Sequence, residues 1–286
     1  MREGREAGRD VPDAADLYDG LPQYDVDVHG HRVHLVDAGQ GPTVLMVHGS
    51  PVSSFSFRHQ IAALREKFRV VAPDLVGFGR SSAPDCGADF GLQAEVLRGL
   101  MDELALDDLR LVAHDWGGPI ALAATAQRPE QLRRLVLINT SALPDFKPPL
   151  YWRVFIGPGI GELLFVRLNL FARGLPFLLR ASRRADIRRI YTTPFHREGT
   201  RRTVLALERL AGFREQTERV ISALGMMRVP TLLLWGHPDP YFRERELERM
   251  RSTFHWAALR VLPRGGHFPQ EDLREDLTSS LCEFIE

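Results

Sequence analysis

The sequence predicts an α/β protein: a mostly parallel sheet flanked by helices, interrupted by one helical insertion. Three observations carry this reading. Short apolar runs alternate with stretches of helical period, several runs end in loops rich in Gly, Pro or Asp, and residues 141–224 break the alternation with Pro144, Pro148, Pro149, Pro158, Pro176 and Pro194 among apolar helical stretches. Strands that alternate with helices need a sheet covered on both faces, and such sheets place their sites in loops beyond the carboxyl ends of the strands. With 286 residues and 44% hydrophobic residues, the chain can bury the core of one large domain that carries an insertion. The expected division is a mobile leader over residues 1–20, a core over 21–140 and 225–286, and a helical cap over 141–224.

Composition excludes some functions. Lys plus Arg and Asp plus Glu both total 37, so no global basic field recruits nucleic acid. Cys86 and Cys282 have no metal-ligand spacing and read as free thiols. The first residues mix charges of both signs without an apolar h-region, and no run approaches the roughly 18 apolar residues of a membrane span. A soluble cytoplasmic protein without a transmembrane segment is expected, with homo-oligomerisation left open.

Taken in order, Tyr24 to Val28 and Arg32 to Asp37 alternate apolar and polar residues around His29-Gly30-His31, the pattern of an edge hairpin. Thr43 to Val47 is a buried strand that ends in His48-Gly49-Ser50-Pro51, and a helix is expected from about Phe57 to Lys67. Arg69 to Pro73 is the next strand, followed by Asp74 to Ser82. The Gly77/Gly79 pair in that loop lacks the spacing and the Lys of a phosphate loop. A helix over Leu92 to Leu104 precedes a strand over Leu109 to Ala113, then a small-residue helix over Pro119 to Gln127 and a strand over Leu135 to Asn139. Beyond the insertion, strands over Thr231 to Trp235 and Ala258 to Leu262 bracket a helix over Arg243 to Arg251. Gly265-Gly266-His267-Phe268 leads into a closing helix ending near Ile285.

The chemistry gathers around Leu111 to Ile120, where an apolar run climbs to Asp115 and a small-residue helix begins at once. That is a strand, a sharp elbow and a helix, the device that lifts a nucleophile above an α/β-hydrolase sheet. Asp115, Asp239 and His267 stand at strand ends in the order nucleophile, acid, histidine. Taken singly, each has an ordinary alternative: a helix N-cap, a turn residue in His237-Pro238-Asp239-Pro240 and a loop histidine. A carboxylate at the elbow attacks saturated carbon, expels a leaving group and leaves an ester, which His267 then hydrolyses through an activated water. Asp239 orients the imidazole, and the backbone N–H groups of Trp116 and Ser50 form the oxyanion hole.

Residues 43–140 and 231–270 resemble the haloalkane dehalogenases of the α/β-hydrolase superfamily. The likeness runs through His48-Gly49-Ser50-Pro51, Asp74 to Ser81, His114-Asp115-Trp116-Gly117-Gly118, Trp235-Gly236-His237-Pro238-Asp239 and Gly266-His267-Phe268. The resemblance implies Asp115 as nucleophile, His267 as base, Asp239 as acid and Trp116 as an indole donor to the departing halide. Some relatives carry the acid after the earlier strand, where this chain has Asn139. It further implies a small apolar halogenated substrate, water, and no metal or organic cofactor.

One position departs from that family. Many dehalogenases place a second halide donor, an asparagine, where Ser50 stands, while others take a tryptophan from the cap, for which the candidate is Trp152. Epoxide hydrolases share the elbow and protonate the opening ring with two cap tyrosines, for which the candidates are Tyr151 and Tyr191. The bulky aromatic after the oxyanion-loop His-Gly of those enzymes is missing, and Trp116 replaces the basic residue of fluoroacetate-type dehalogenases. A hydrolase-fold protein that binds a small apolar ligand without turnover is the alternative of another class. Arg180, Arg183, Arg184, Arg188, Arg189, Arg197, Arg201 and Arg202 make the insertion locally basic, read as a solvated helix face or, alternatively, a contact for an anionic partner, a membrane surface or a second copy. Phe146, Phe155, Phe165, Phe171 and Phe177 are candidates to line an apolar pocket or to form the insertion's own core.

Overall fold

The computed structural model describes residues 18, 20–148, 150–178, 185–210, 213–215, 217–218, 221 and 228–286. Eight strands form one sheet in the order β1-β2-β4-β3-β5-β6-β7-β8. They span Gln23–Val28 (β1), His31–Ala38 (β2), Thr43–Val47 (β3), Arg69–Pro73 (β4), Leu109–His114 (β5), Leu132–Ile138 (β6), Thr231–His237 (β7) and Ala258–Pro263 (β8). β1 pairs antiparallel with β2, and β2 with β4. Every pairing from β4 across to β8 is parallel.

The central strands are apolar almost throughout because each of their faces is covered. Leu45, Val47, Leu111, Ala113, Leu135, Leu137, Leu233 and Trp235 join one buried cluster. Their alternate neighbours Val44, Met46, Val112, Val136, Ile138, Leu232 and Leu234 join the other. This is the period-2 projection of a strand buried on both sides. Between β3 and β5 the winding of the sheet reverses direction, so the loops after these two strands stand side by side at the crevice where such sheets bind ligands.

The helix Gly117–Thr125 packs unusually close to the sheet because it starts with two glycines. A Cβ on Gly117 would lie 2.3 Å from the Val47 carbonyl oxygen, a distance no side chain tolerates. The helix Phe90–Glu103 begins at Asp89, whose carboxylate accepts the Leu92 N–H at 2.9 Å.

Between β6 and β7 the chain leaves the sheet for the helices Leu150–Phe155, Leu170–Leu178, Ala185–Thr192 and Glu198–Glu208 and a π-helical turn over Glu162–Arg167. Side chains fasten this excursion to the core. Arg197 donates to the Ser81 and Gly79 carbonyls at 2.6 and 2.9 Å. Tyr191 donates to Glu271, which pairs in a fork with Arg58 at 2.6 and 2.9 Å.

The basic surface expected of the insertion is thus partly an internal fastening. Arg201 donates to the Val166, Phe195 and His196 carbonyls, and Arg202 pairs with Glu198. Arg180, Arg183 and Arg184 lie outside the described residues. Most of the expected leader also lies outside them, but Tyr18 is buried against Phe55 and hydrogen-bonds Ser54 at 3.2 Å. Both cysteines are free.

Candidate active site

Asp115 follows β5 directly and takes φ = 51°, a left-handed conformation that costs a residue with a Cβ and survives only where its surroundings hold it. The Thr140 hydroxyl donates to the Asp115 carbonyl at 2.6 Å, the Gly118 N–H does so at 3.0 Å, and the Ser50 N–H donates to Asp115 Oδ1 at 2.9 Å. Gly49 is the residue that lets the two loops touch, since a Cβ there would sit 2.5 Å from Asp115 Oδ1.

His267 arrives from the loop after β8. Its Nδ1 lies 2.8 Å from Asp239 Oδ2 and its Nε2 lies 3.5 Å from Asp115 Oδ2. The three residues expected from sequence are therefore brought together, all buried.

Asp239 is over-determined. Besides His267, its oxygens accept the Tyr241 and Phe242 N–H groups at 2.7 and 3.1 Å and the Asn139 amide at 2.7 Å. Burial opposes its charge, but His267 and Asn139 outweigh that and hold its pKa below the ordinary carboxylate value. Burial likewise opposes charge on His267, yet Asp239 and Asp115 on its two sides push its pKa up to about 10. At neutral pH the imidazole is therefore an imidazolium.

Beneath it, His114 Nε2–H donates to the His267 carbonyl at 2.7 Å, which leaves Nδ1 to accept from the Gln270 amide at 3.2 Å. Burial, with His267 close by, lowers the His114 pKa to about 4, so this second imidazole stays neutral and serves as a prop.

Above Asp115 opens a largely apolar cavity. Ser50, Trp116 and Phe268 line it from the core; Phe146, Trp152, Phe171, Glu208 and Phe213 line it from the insertion, and Tyr241 and Phe242 close it beside His267. Among the candidate aromatics, Phe146 and Phe171 line the cavity, Phe165 packs behind Trp152, and Phe155 is exposed. The Phe177 side chain lies outside the described residues.

Trp152 does reach the site: its Nε1 and that of Trp116 converge from opposite walls. Both point at the same group, the carboxylate of Glu208, at 2.8 Å from Trp152 and 3.4 Å from Trp116. The Ser50 hydroxyl is buried and has no hydrogen-bond partner among the described residues. Neither epoxide-hydrolase candidate stands in the cavity as a described wall: Tyr191 is buried elsewhere, against Phe55 and Glu271, and the Tyr151 side chain lies outside the described residues.

Glu208 and Tyr241 are site residues that sequence reasoning did not assign, and Asn139 entered it only as the position where some relatives carry the acid. Glu208 had a signal, being four residues after Val204 and thus on the same buried face of its helix, where an unpaired acid is costly. Burial pushes its pKa up to about 7, helped by Asp115 and opposed by the Trp152 and Trp116 N–H groups. Among the described residues no cluster of three His, Cys, Asp or Glu side chains is arranged to hold a metal ion.

An acid on a strand-to-helix elbow, backed by a histidine and a second acid on this strand order, defines the α/β-hydrolase class, and residues 42–272 match the alpha/beta hydrolase fold family. The chain belongs to that family and, within it, to the haloalkane dehalogenases. It is 34% identical over 267 residues to haloalkane dehalogenase 2 of Mycobacterium tuberculosis, covering 88% of this chain and 91% of that one. It is also 32% identical over 273 residues to cis-3-alkyl-4-alkyloxetan-2-one decarboxylase of Shewanella oneidensis, covering 90% and 86%. Among solved structures, the haloalkane dehalogenase DatA of Agrobacterium tumefaciens C58 superposes with a TM-score of 0.84 at 26% identity, covering 94% of this chain and 97% of that one.

Proposed function

We propose that the protein hydrolyses the carbon–halogen bond of a small apolar haloalkane, with Asp115 as nucleophile, His267 as base and Asp239 as its orienting acid. The observation that carries this reading is the alignment of Asp115, His267 and Asp239 beneath an apolar cavity, with Asp115 Oδ2 3.5 Å from the imidazole. Residues 141–224 act as the cap over that cavity. Among the described residues no helix is long and apolar enough to cross a membrane, and we place the enzyme in the cytoplasm.

In this scheme Oδ2 attacks the halogen-bearing carbon, the halide departs with the bonding pair, and an alkyl ester remains on Asp115. The ester carries no charge, so one of the two carboxylates that raise the His267 pKa is gone, and the imidazole can then release its proton and act as base. His267 takes a proton from water, the hydroxide adds to the ester carbonyl, and the Ser50 N–H, already 2.9 Å from Oδ1, stabilises the oxyanion. Such a donor contributes roughly 3 kcal/mol. The sum is haloalkane plus water to alcohol, halide and a proton.

A second reading is favoured by Glu208, whose carboxyl occupies the point at which the indoles of Trp116 and Trp152 converge. It is ring opening of a strained oxygen heterocycle, such as an epoxide, by the same ester route. The Shewanella relative is named for an oxetan-2-one, a four-membered ring that contains oxygen.

Incubation with 1-bromobutane and with styrene oxide, following bromide and diol release, separates the two readings. Release from neither would overturn both and favour a ligand-binding role without turnover. His267→Phe should accumulate an alkyl adduct, located by mass spectrometry on Asp115. An adduct elsewhere would sink the mechanism.

A further inference from the structure

We propose that Glu208 is a further catalytic residue, a proton donor to a leaving oxygen that equips this pocket to open strained cyclic ethers. The inference rests on the reading of Asp115 as nucleophile and adds to it a second reacting group from the insertion. Three observations meet at this side chain.

First, Glu208 lines the same cavity as Asp115, and among the described residues its oxygens meet two donors, Trp152 Nε1 at 2.8 Å and Trp116 Nε1 at 3.4 Å. Among the described residues no lysine or arginine pairs with it. Arg209, next along the chain, turns away to Glu162 and to the Ile156 carbonyl. Second, Trp152 holds Oε2 at 2.8 Å, while Oε1 has only the long 3.4 Å contact to Trp116 and is the oxygen freer to carry a proton. Third, the surroundings of this carboxyl favour that proton. Burial favours the proton most strongly and Asp115 on the elbow adds to it, against the N–H groups of Trp152 and Trp116 and the charge on His267.

A halide leaves as a stable anion and needs no proton; an alkoxide leaving group does need one. In the proposed step, Asp115 Oδ2 forms a bond to a ring carbon and the carbon–oxygen bond breaks. Its electron pair takes the proton from Glu208 Oε1, so that the ring oxygen becomes a hydroxyl on the tethered alkyl ester and Glu208 becomes a carboxylate held by both indoles. Hydrolysis of the ester through His267 releases one proton, which restores the acid on Glu208; the sum is cyclic ether plus water to diol. The unpartnered Ser50 hydroxyl beside the elbow supplies the cavity with a further polar contact for that oxygen.

The test uses His267→Phe protein, in which the Asp115 ester accumulates, and measures the rate of adduct formation by mass spectrometry with styrene oxide and with 1-bromobutane. Adding Glu208→Gln, which keeps the size and the acceptor oxygen but cannot release a proton in this way, should lower the ratio of the epoxide rate to the bromoalkane rate by about 100-fold. Glu208→Asp should recover part of that ratio, and with Glu208 intact the epoxide rate should fall about tenfold per pH unit once pH exceeds the Glu208 pKa, which the loss of the His267 charge raises further, a limb missing in the Gln variant. A ratio within threefold of the parent, with a bromoalkane adduct still forming, overturns the role of Glu208 and leaves Asp115 as nucleophile. No adduct from either probe overturns both.

Discussion

The two halves of the cavity are built by different means. On the core side, position comes mostly from backbone N–H groups with two short side chains: Asp115 is held by the Ser50 N–H, the Gly118 N–H and the Thr140 hydroxyl, and Asp239 by two backbone N–H groups and the Asn139 amide. On the insertion side, position comes from long side chains that reach across: Arg197 to the Ser81 and Gly79 carbonyls, Tyr191 to Glu271, Trp152 to Glu208. The lesson is a division of labour. The proposed nucleophile and acid are held by main chain and short core side chains, whereas the groups proposed to act on the leaving group sit largely on long side chains of the insertion.

That contrast can be broken on either side. The largest effect is expected from Asp115→Ala, which should cost at least about 10³-fold in turnover of any substrate with the fold retained, as measured by halide and diol release alongside circular dichroism. Arg58→Ala should come next, in stability and not in chemistry. It leaves Glu271 as a buried, half-paired charge, its side chain only 2% exposed, at a cost of about 3–5 kcal/mol in a denaturant titration.

Glu208→Gln sharpens the comparison through pH. The carboxyl pKa is raised in the folded state, so the stability it contributes is complete below the unfolded value near 4.5 and is lost as pH rises through about 7. The Gln variant lacks this dependence, and the stability difference should shift in its favour across that window by about 3 kcal/mol at most, read from melts at pH 4.5 and pH 8. A difference that does not vary with pH would mean that Glu208 is not held as an acid. The smallest effect is expected from Arg197→Ala, which removes hydrogen bonds to two carbonyls. It should cost about 1–3 kcal/mol and raise KM more than it lowers kcat, because the insertion loosens over an intact elbow.

The core side was legible in the sequence and the insertion side was not, for a physical reason. The central strands are apolar on both faces and end in polar or glycine-bearing loops, so their positions follow from the apolar pattern, and the order Asp115, Asp239, His267 follows from where those strands end. β6 begins at Leu132, earlier than the apolar run suggests, because Arg134 pairs across the ladder with Arg110 at the solvent end of both strands. Whether Trp152 entered the cavity depended on how the helices of the insertion pack, which no local pattern encodes. Glu208 was masked by its neighbourhood of arginines, and only its four-residue spacing from Val204 betrayed a buried face. Asn139 stands where some relatives carry the acid itself, and its amide now steadies Asp239 on the neighbouring strand end.

His267 stands on the last loop before the closing helix Arg274–Ile285, 152 positions after the elbow it serves. During synthesis, strand β5 and its acid emerge long before the base does. Under the proposed roles, until β8 is laid beside β7 the chain carries its nucleophile without the base that frees it from its ester. Because the loop that brings His267 also carries the carbonyl that accepts from His114, and the Gln270 amide beyond it reaches the same ring, the base and its prop lock in together. Under those roles, the ability to turn over is acquired only once β8 and the loop after it are in place.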